Sequence, residues 1–69
     1  QMNLTHHQQA TRHMATEVEH INRLIYTKDL SVSKAKEMLA VAARSAEQHC
    51  AGCVIKFGIN AGRAWFNVL

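Results

Sequence analysis

The sequence predicts a mainly α fold in which an antiparallel two-helix hairpin is followed by a short C-terminal β-hairpin. Two segments repeat apolar residues at steps of three and four, which is the period of one helix face. The pattern breaks at residues 27–30, so we expect a turn between the two helices. From Val54 to Leu69 the period changes to two, which is typical of strands.

The first helix has a clear start signal. The Thr5 hydroxyl is placed to cap the helix while Gln8, three residues on, reaches back to it, as in a capping box. Residues at steps of three and four along this segment form one stripe, which consists of Leu4, His7, Thr11, Met14, Val18, Ile21 and Ile25. We expect this stripe to face the second helix.

The second helix is predicted to begin at Ser31 as N-cap, with Leu30 placed to pack on Ala35 as a hydrophobic staple. Its stripe, flanked by Met38 and Val41, consists of Val32, Ala35, Leu39, Ala42, Ala46, Cys50 and Cys53. Gly52 is predicted to end the helix, which gives both helices roughly 20 residues. Matched lengths favour an antiparallel hairpin in which His7 faces Cys50.

The C-terminal segment carries two alternating apolar sets, which are Ile55, Phe57 and Ile59, then Ala64, Phe66 and Val68. A turn at residues 60–62 would join them. Gly62 suits a three-residue loop with a bulge, whereas one shared apolar face requires two or four loop residues; we follow the apolar pattern. The alternative is an all-α fold with a continued or third helix, since Val54, Phe57, Ala61, Trp65 and Val68 also fit helical spacing.

Length and composition predict one small folded domain. Gln1 precedes Met2, so we expect the domain to span residues 2–69. Apolar residues make up 48% and charged residues 19%, which is typical of a globular protein. The longest apolar run, Met38 to Ala43, is too short for a membrane span, and no signal segment is evident, so we expect a cytoplasmic protein. Because so short a chain buries little surface, we also expect a homo-oligomer.

Four residues form a candidate metal site. His49, Cys50 and Cys53 lie where the predicted hairpin brings back His6 and His7, and two thiolates with one or two imidazoles can bind zinc. A single CxxC lacks the signature of a zinc finger, and cysteine is often a small buried residue, so we favour a packing role. A redox dithiol is the least favoured interpretation, since a helix C-terminus disfavours the thiolate.

A second histidine group lies on the first helix. His6, His13 and His20 are spaced by seven, and Glu17 lies near them, so they share a face away from the predicted helix seam. Such a face can sense pH or bind an acidic partner. We favour an ordinary solvated surface.

The candidate binding residues are Lys56, Arg63, Trp65 and Asn67, which are predicted to lie on the outer face of the β-hairpin. Tryptophan with arginine is typical of protein-binding hot spots, and an aromatic ring beside cations can also stack on a base. The alternative is that Trp65 simply covers the helices or a dimer seam. No catalytic constellation is present, since the serines lack a partner histidine and carboxylate and there is no glycine-rich phosphate loop.

We therefore predict a non-enzymatic accessory or regulatory protein, without cofactor, that binds an unidentified protein as a homo-oligomer. In size and lack of chemistry it is similar to small accessory proteins of bacteria and their phages, although no motif ties it to a family. The second hypothesis is a nucleic-acid-binding regulator in which Lys56 and Arg63 contact phosphates. It is less favoured because the eight basic and five acidic residues, net charge +3, are interleaved along both helices. The third is a small zinc-stabilised module.

Overall fold

The structure is a computed structural model that describes residues 4–69 as two helices followed by two strands. They are α1 (His6–Tyr26), α2 (Val32–Glu47), β1 (Ile55–Asn60) and β2 (Arg63–Val68), and the strands form one antiparallel sheet. The predicted helical hairpin with a C-terminal β-hairpin is confirmed, and the all-α alternative is wrong. The predicted start of the domain at Met2 lies outside the described residues.

Both helix starts are confirmed as the sequence predicts them. The Gln8 N–H donates to Thr5 Oγ1 at 3.0 Å and the Thr5 N–H donates to Gln8 Oε1 at 2.9 Å, which completes the capping box. The Lys34 N–H donates to Ser31 Oγ at 3.1 Å. These caps satisfy main-chain donors that have no partner within a helix.

The turn after α1 is a Schellman motif that requires a left-handed residue. The Lys28 N–H donates to Ile25 O at 3.1 Å, and the Asp29 N–H donates to Leu24 O at 2.9 Å. Lys28 occupies the left-handed position with φ of 66°. Glycine is the usual residue there because a Cβ disfavours this conformation.

The predicted extension of α2 to Gly52 is wrong, because the helix ends at Glu47. Tighter turns replace its last part: the His49 N–H donates to Ala46 O at 2.9 Å, and the Cys50 N–H donates to Glu47 O at 3.2 Å. The chain has to reverse here so that β1 can lie against α2. Gly52, with φ of +93°, supplies the left-handed residue of that reversal.

The β-hairpin turns through two residues, Ala61 and Gly62, so that Asn60 pairs with Arg63. Their φ values are 53° and 75°, and a type I′ turn requires positive φ at both positions. This register places the two apolar sets on one face, as the alternation predicts, and no three-residue loop forms.

The apolar face of the sheet packs on the helix pair, with β2 against α1 and β1 against α2. The largest fully buried side chains are Met14, Ile21 and Leu39, and most other core residues of the helices are alanines. Ala10 and Ala43, which lie outside the predicted stripes, are also buried. Within residues 4–69 neither helix is both long and apolar enough to traverse a bilayer.

Candidate functional site

The four predicted binding residues lie together on the outer face of the β-hairpin. Side chains alternate along a strand, so those next to the core-facing residues point away from the helices. This outer face consists of Lys56, Gly58 and Asn60 on β1, paired with Asn67, Trp65 and Arg63 on β2. All four predicted residues are exposed, as a binding surface requires.

Trp65 lies across the neighbouring strand at Gly58. A Cβ added at Gly58 would lie 3.0 Å from Trp65 Nε1 and 3.1 Å from Cζ2, so the indole rests on the glycine main chain. The side chain is nevertheless 44% exposed. Trp65 therefore does not cover the helices: one side of the ring is held by β1 and the other is open to a partner.

The charge on this face is entirely positive. Residues 48–69 contain no aspartate or glutamate, and the charged side chains of the hairpin are Lys56 and Arg63. Within the described part of the chain the one ion pair is Arg23 with Glu19, on exposed α1. No carboxylate therefore competes with a partner for the two hairpin cations.

Two side chains of α1 hold the hairpin in place along the outer edge of β2. Asn22 Nδ2–H donates to Ala64 O at 3.1 Å, and the Ala64 N–H donates to Asn22 Oδ1 at 2.7 Å. Nearer the start of α1, His7 Nε2–H donates to Val68 O at 2.9 Å. Asn22 is not among the residues predicted from the sequence; its signal is that asparagine, a poor helix former, stands beside the apolar stripe within a helix.

The four candidate zinc ligands do not form one group in the structure. Cys50 and Cys53 form a disulfide, with their Cα atoms 5.5 Å apart. The predicted pairing of His7 with Cys50 is wrong, because His7 bonds to β2, and it is His6 that reaches residue 49 by donating from Nδ1 to the His49 carbonyl at 3.1 Å.

Among residues 4–69, no three histidine, cysteine or acidic side chains are grouped so as to hold a metal ion. Zinc binds thiolates, so the zinc hypothesis applies only to the reduced cysteine pair and stays a prediction.

The opposite side of the helix pair carries a shallow apolar groove. Its walls include Met38 and Val41 from α2, and its rim carries His13 and Glu17 from α1. His13 is half-buried, and its ring centroid lies 5.6 Å from that of His49. The prediction that His13 lies away from the helix seam is therefore wrong, because this groove residue sits where the two helices meet.

Taken together, the fold and the outer face define a small two-layer ααββ domain that presents a fixed indole between two cations. Comparison of the chain with protein-family models, with curated proteins and with solved structures found no match.

Proposed function

We propose that the protein is a small non-enzymatic accessory or regulatory protein that acts as a homo-oligomer and binds another protein through the outer face of its β-hairpin. The observation that carries the proposal is the seating of the Trp65 indole on Gly58, with its other side exposed between Lys56 and Arg63. The partner chemistry that fits is an apolar residue flanked by acidic ones.

The geometry favours binding because the anchor is already ordered. A tryptophan that folding has fixed in place loses little further side-chain entropy when a partner covers it. Lys56 and Arg63 would steer an acidic segment toward the ring and raise the association rate, while the ring would contribute most of the affinity. Asn67, across from Lys56, supplies an amide for hydrogen bonds at the rim.

A capture experiment with matched variants tests the proposal. Partners retained from a host lysate by the wild-type protein should be lost with Trp65→Ala, for which we expect a cost of about 2 kcal/mol, or about 30-fold in affinity. Tyr26→Ala is the control, since Tyr26 is an aromatic residue of α1 that is 87% exposed and is not part of the outer face of the hairpin. Equal recovery of the same partners with both variants would refute a role for the face.

The second candidate is binding of nucleic acid, which is favoured by the absence of carboxylates around an exposed indole. Trp65 is the single tryptophan, so its fluorescence reports directly on a base stacked against it. We expect no binding to single-stranded or duplex DNA at physiological salt. Submicromolar quenching with a log–log salt slope of about 0.9 per duplex phosphate, lowered by about one in Lys56→Ala or Arg63→Ala, would replace the protein-binding proposal.

The proposed cytoplasmic location bears on the cysteines. Disulfides persist in oxidising compartments, whereas reducing ones keep thiols free. In the cytoplasm Cys50 and Cys53 would therefore be a dithiol, and the disulfide described above would be the form of the oxidised protein.

A further inference from the structure

The two outer edges of the sheet differ in how they are covered. At β2, α1 supplies partners through Asn22, which bonds to both main-chain groups of Ala64, and through His7, which bonds to Val68 O. No comparable contact reaches β1: within residues 4–69 its outward N–H and C=O groups make no hydrogen bond. The β2 edge is thus partly covered by the protein itself, whereas the β1 edge is open.

The hydrogen-bonding pattern of the hairpin identifies which groups point outward. Val54 and Leu69 exchange two main-chain bonds, of 3.2 and 2.8 Å. In an antiparallel ladder, bonded and non-bonded pairs alternate, so Ile55, Phe57 and Ile59 belong to non-bonded pairs. Their N–H and C=O groups therefore face away from β2.

We propose that β1 pairs with β1 of a second copy of this chain, antiparallel and about a two-fold axis at Phe57, to form a continuous four-stranded sheet. This inference rests on the proposed homo-oligomer, and it does not depend on what the Trp65 face binds. It names the surface through which the copies meet.

The strand is self-complementary in this register. Phe57 opposes Phe57 of the second copy and Ile55 opposes Ile59, so every outward-facing residue of both strands gains main-chain bonds. Lys56 opposes Gly58, so no two charges meet. A register in which Ile55 opposes Phe57 would place Lys56 against Lys56, and like charges directly opposite one another are destabilising.

Burial and size favour a second copy as the occupant. Phe57 and Ile59 are only half-buried although they pack against the core, and their side chains point to the helix layer. Pairing at this edge extends that layer and covers them further. A chain of 69 residues buries little surface by itself, and a second copy adds two strands to the same layer.

The two-fold axis at Phe57 runs perpendicular to the sheet, so both helix layers lie on one side of it. The two outer faces then form one surface on the other side, with an indole from each copy. A partner with two binding segments could engage both indoles, which raises its apparent affinity without a new type of contact.

Amide hydrogen exchange combined with light scattering tests the interface. Light scattering should give the mass of a dimer. The main-chain amides of Ile55, Phe57 and Ile59 should exchange at least about tenfold more slowly than the amide of Phe66. Phe66 is the matched control, since its N–H points outward from β2 without a hydrogen-bond partner in the described chain. Protection at β1 should fall on dilution as the dimer dissociates.

Backbone N-methylation provides a variant that leaves the hairpin intact. The chain is short enough for chemical synthesis, with ligation at Cys50. Methylation of the Phe57 nitrogen removes a main-chain N–H that points away from β2, so we expect a folded monomer with the circular dichroism of the wild type. Methylation of the Phe66 nitrogen is the control, and this variant should remain a dimer.

Two outcomes would overturn the proposal in different ways. A monomeric wild-type protein would reject the homo-oligomer and the interface together. A dimer in which Phe57 and Ile59 exchange as fast as Phe66 would reject the interface alone. Neither result depends on whether Trp65→Ala loses its partners, so failure of the binding proposal is separately visible.

Discussion

Asn22→Ala should release the hairpin from α1 by removing both hydrogen bonds to the main chain of Ala64. Those bonds, of 3.1 and 2.7 Å, engage one acceptor and one donor of the same residue. Ala64 is only 6% exposed, so water replaces the lost amide poorly. The change therefore leaves two main-chain groups with little solvation at the helix–sheet boundary.

The magnitude follows from opposing terms. Each lost bond contributes about 1 kcal/mol, with a further penalty where the freed group stays unsolvated. Alanine has a higher helix propensity than asparagine, which offsets about 0.6 kcal/mol of this loss in stability. We expect a net loss of about 1.5 kcal/mol in the free energy of unfolding, or a melting temperature lower by about 6–12 °C in a domain of this size.

Urea unfolding followed by circular dichroism and by Trp65 fluorescence measures this loss. Thr16→Ala is the control, since Thr16 is exposed within α1 and its hydroxyl makes no hydrogen bond in the described chain; its stability should be unchanged or slightly higher. A change in Asn22→Ala smaller than about 0.5 kcal/mol would refute the reasoning, because that is the range of neutral surface substitutions.

Asn22→Asp adds a pH test of the same geometry. Aspartate keeps the acceptor for the Ala64 N–H but turns a second oxygen toward Ala64 O, where a donor is needed. The protonated carboxyl can donate there, so folding should raise its pKa above the unfolded value. Its contribution to stability is then present at low pH and lost as pH rises through the folded pKa. A variant whose stability relative to Asn22→Ala does not increase on acidification would contradict the assignment of donor and acceptor.

Two further substitutions test the left-handed positions. Ala61→Asn should stabilise the protein by about 1 kcal/mol in thermal unfolding, because Asn-Gly is the preferred type I′ pair and Ala61 has φ of 53°; a lower melting temperature would contradict this turn. Lys28→Gly should stabilise by a similar amount, about 1 kcal/mol, since φ there is 66°. Lys36→Gly is the control, at a solvent-exposed position within α2, and should lower the free energy of unfolding by about 1 kcal/mol. A lower free energy of unfolding in both glycine variants would argue against the Schellman turn.

The features that sequence predicted correctly are those that neighbouring residues determine. Thr5 with Gln8, and Ser31, cap helices through bonds that span three residues. The alternation in the last segment placed the Trp65 face outward because a strand has a period of two. It also favoured a loop of two or four residues over one of three, since only an even loop puts both apolar sets on one face.

The features that were not predicted from the sequence depend on tertiary packing. Gly52 marks a left-handed residue, but the end of α2 at Glu47 is set by where β1 has to lie. The seven-residue spacing of the helix 1 histidines is the same whichever side the sheet covers, so it did not show that His13 would border the groove. Asn22 finds its partner 42 residues away, at a strand edge that no local pattern encodes.

The open edge and the binding face meet at Gly58. In the proposed dimer Lys56 of the second copy lies opposite Gly58 in a non-bonded pair, where Cα atoms approach to about 4.5 Å and side chains are closest. The indole of Trp65 rests on that same glycine. A lysine so placed lies within the range of about 6 Å over which a cation is attracted to an indole face. Dimerisation would then add a third cation beside the indole. If the dimer binds the partner more tightly than the monomer does, linkage requires that the partner strengthen dimerisation by the same factor.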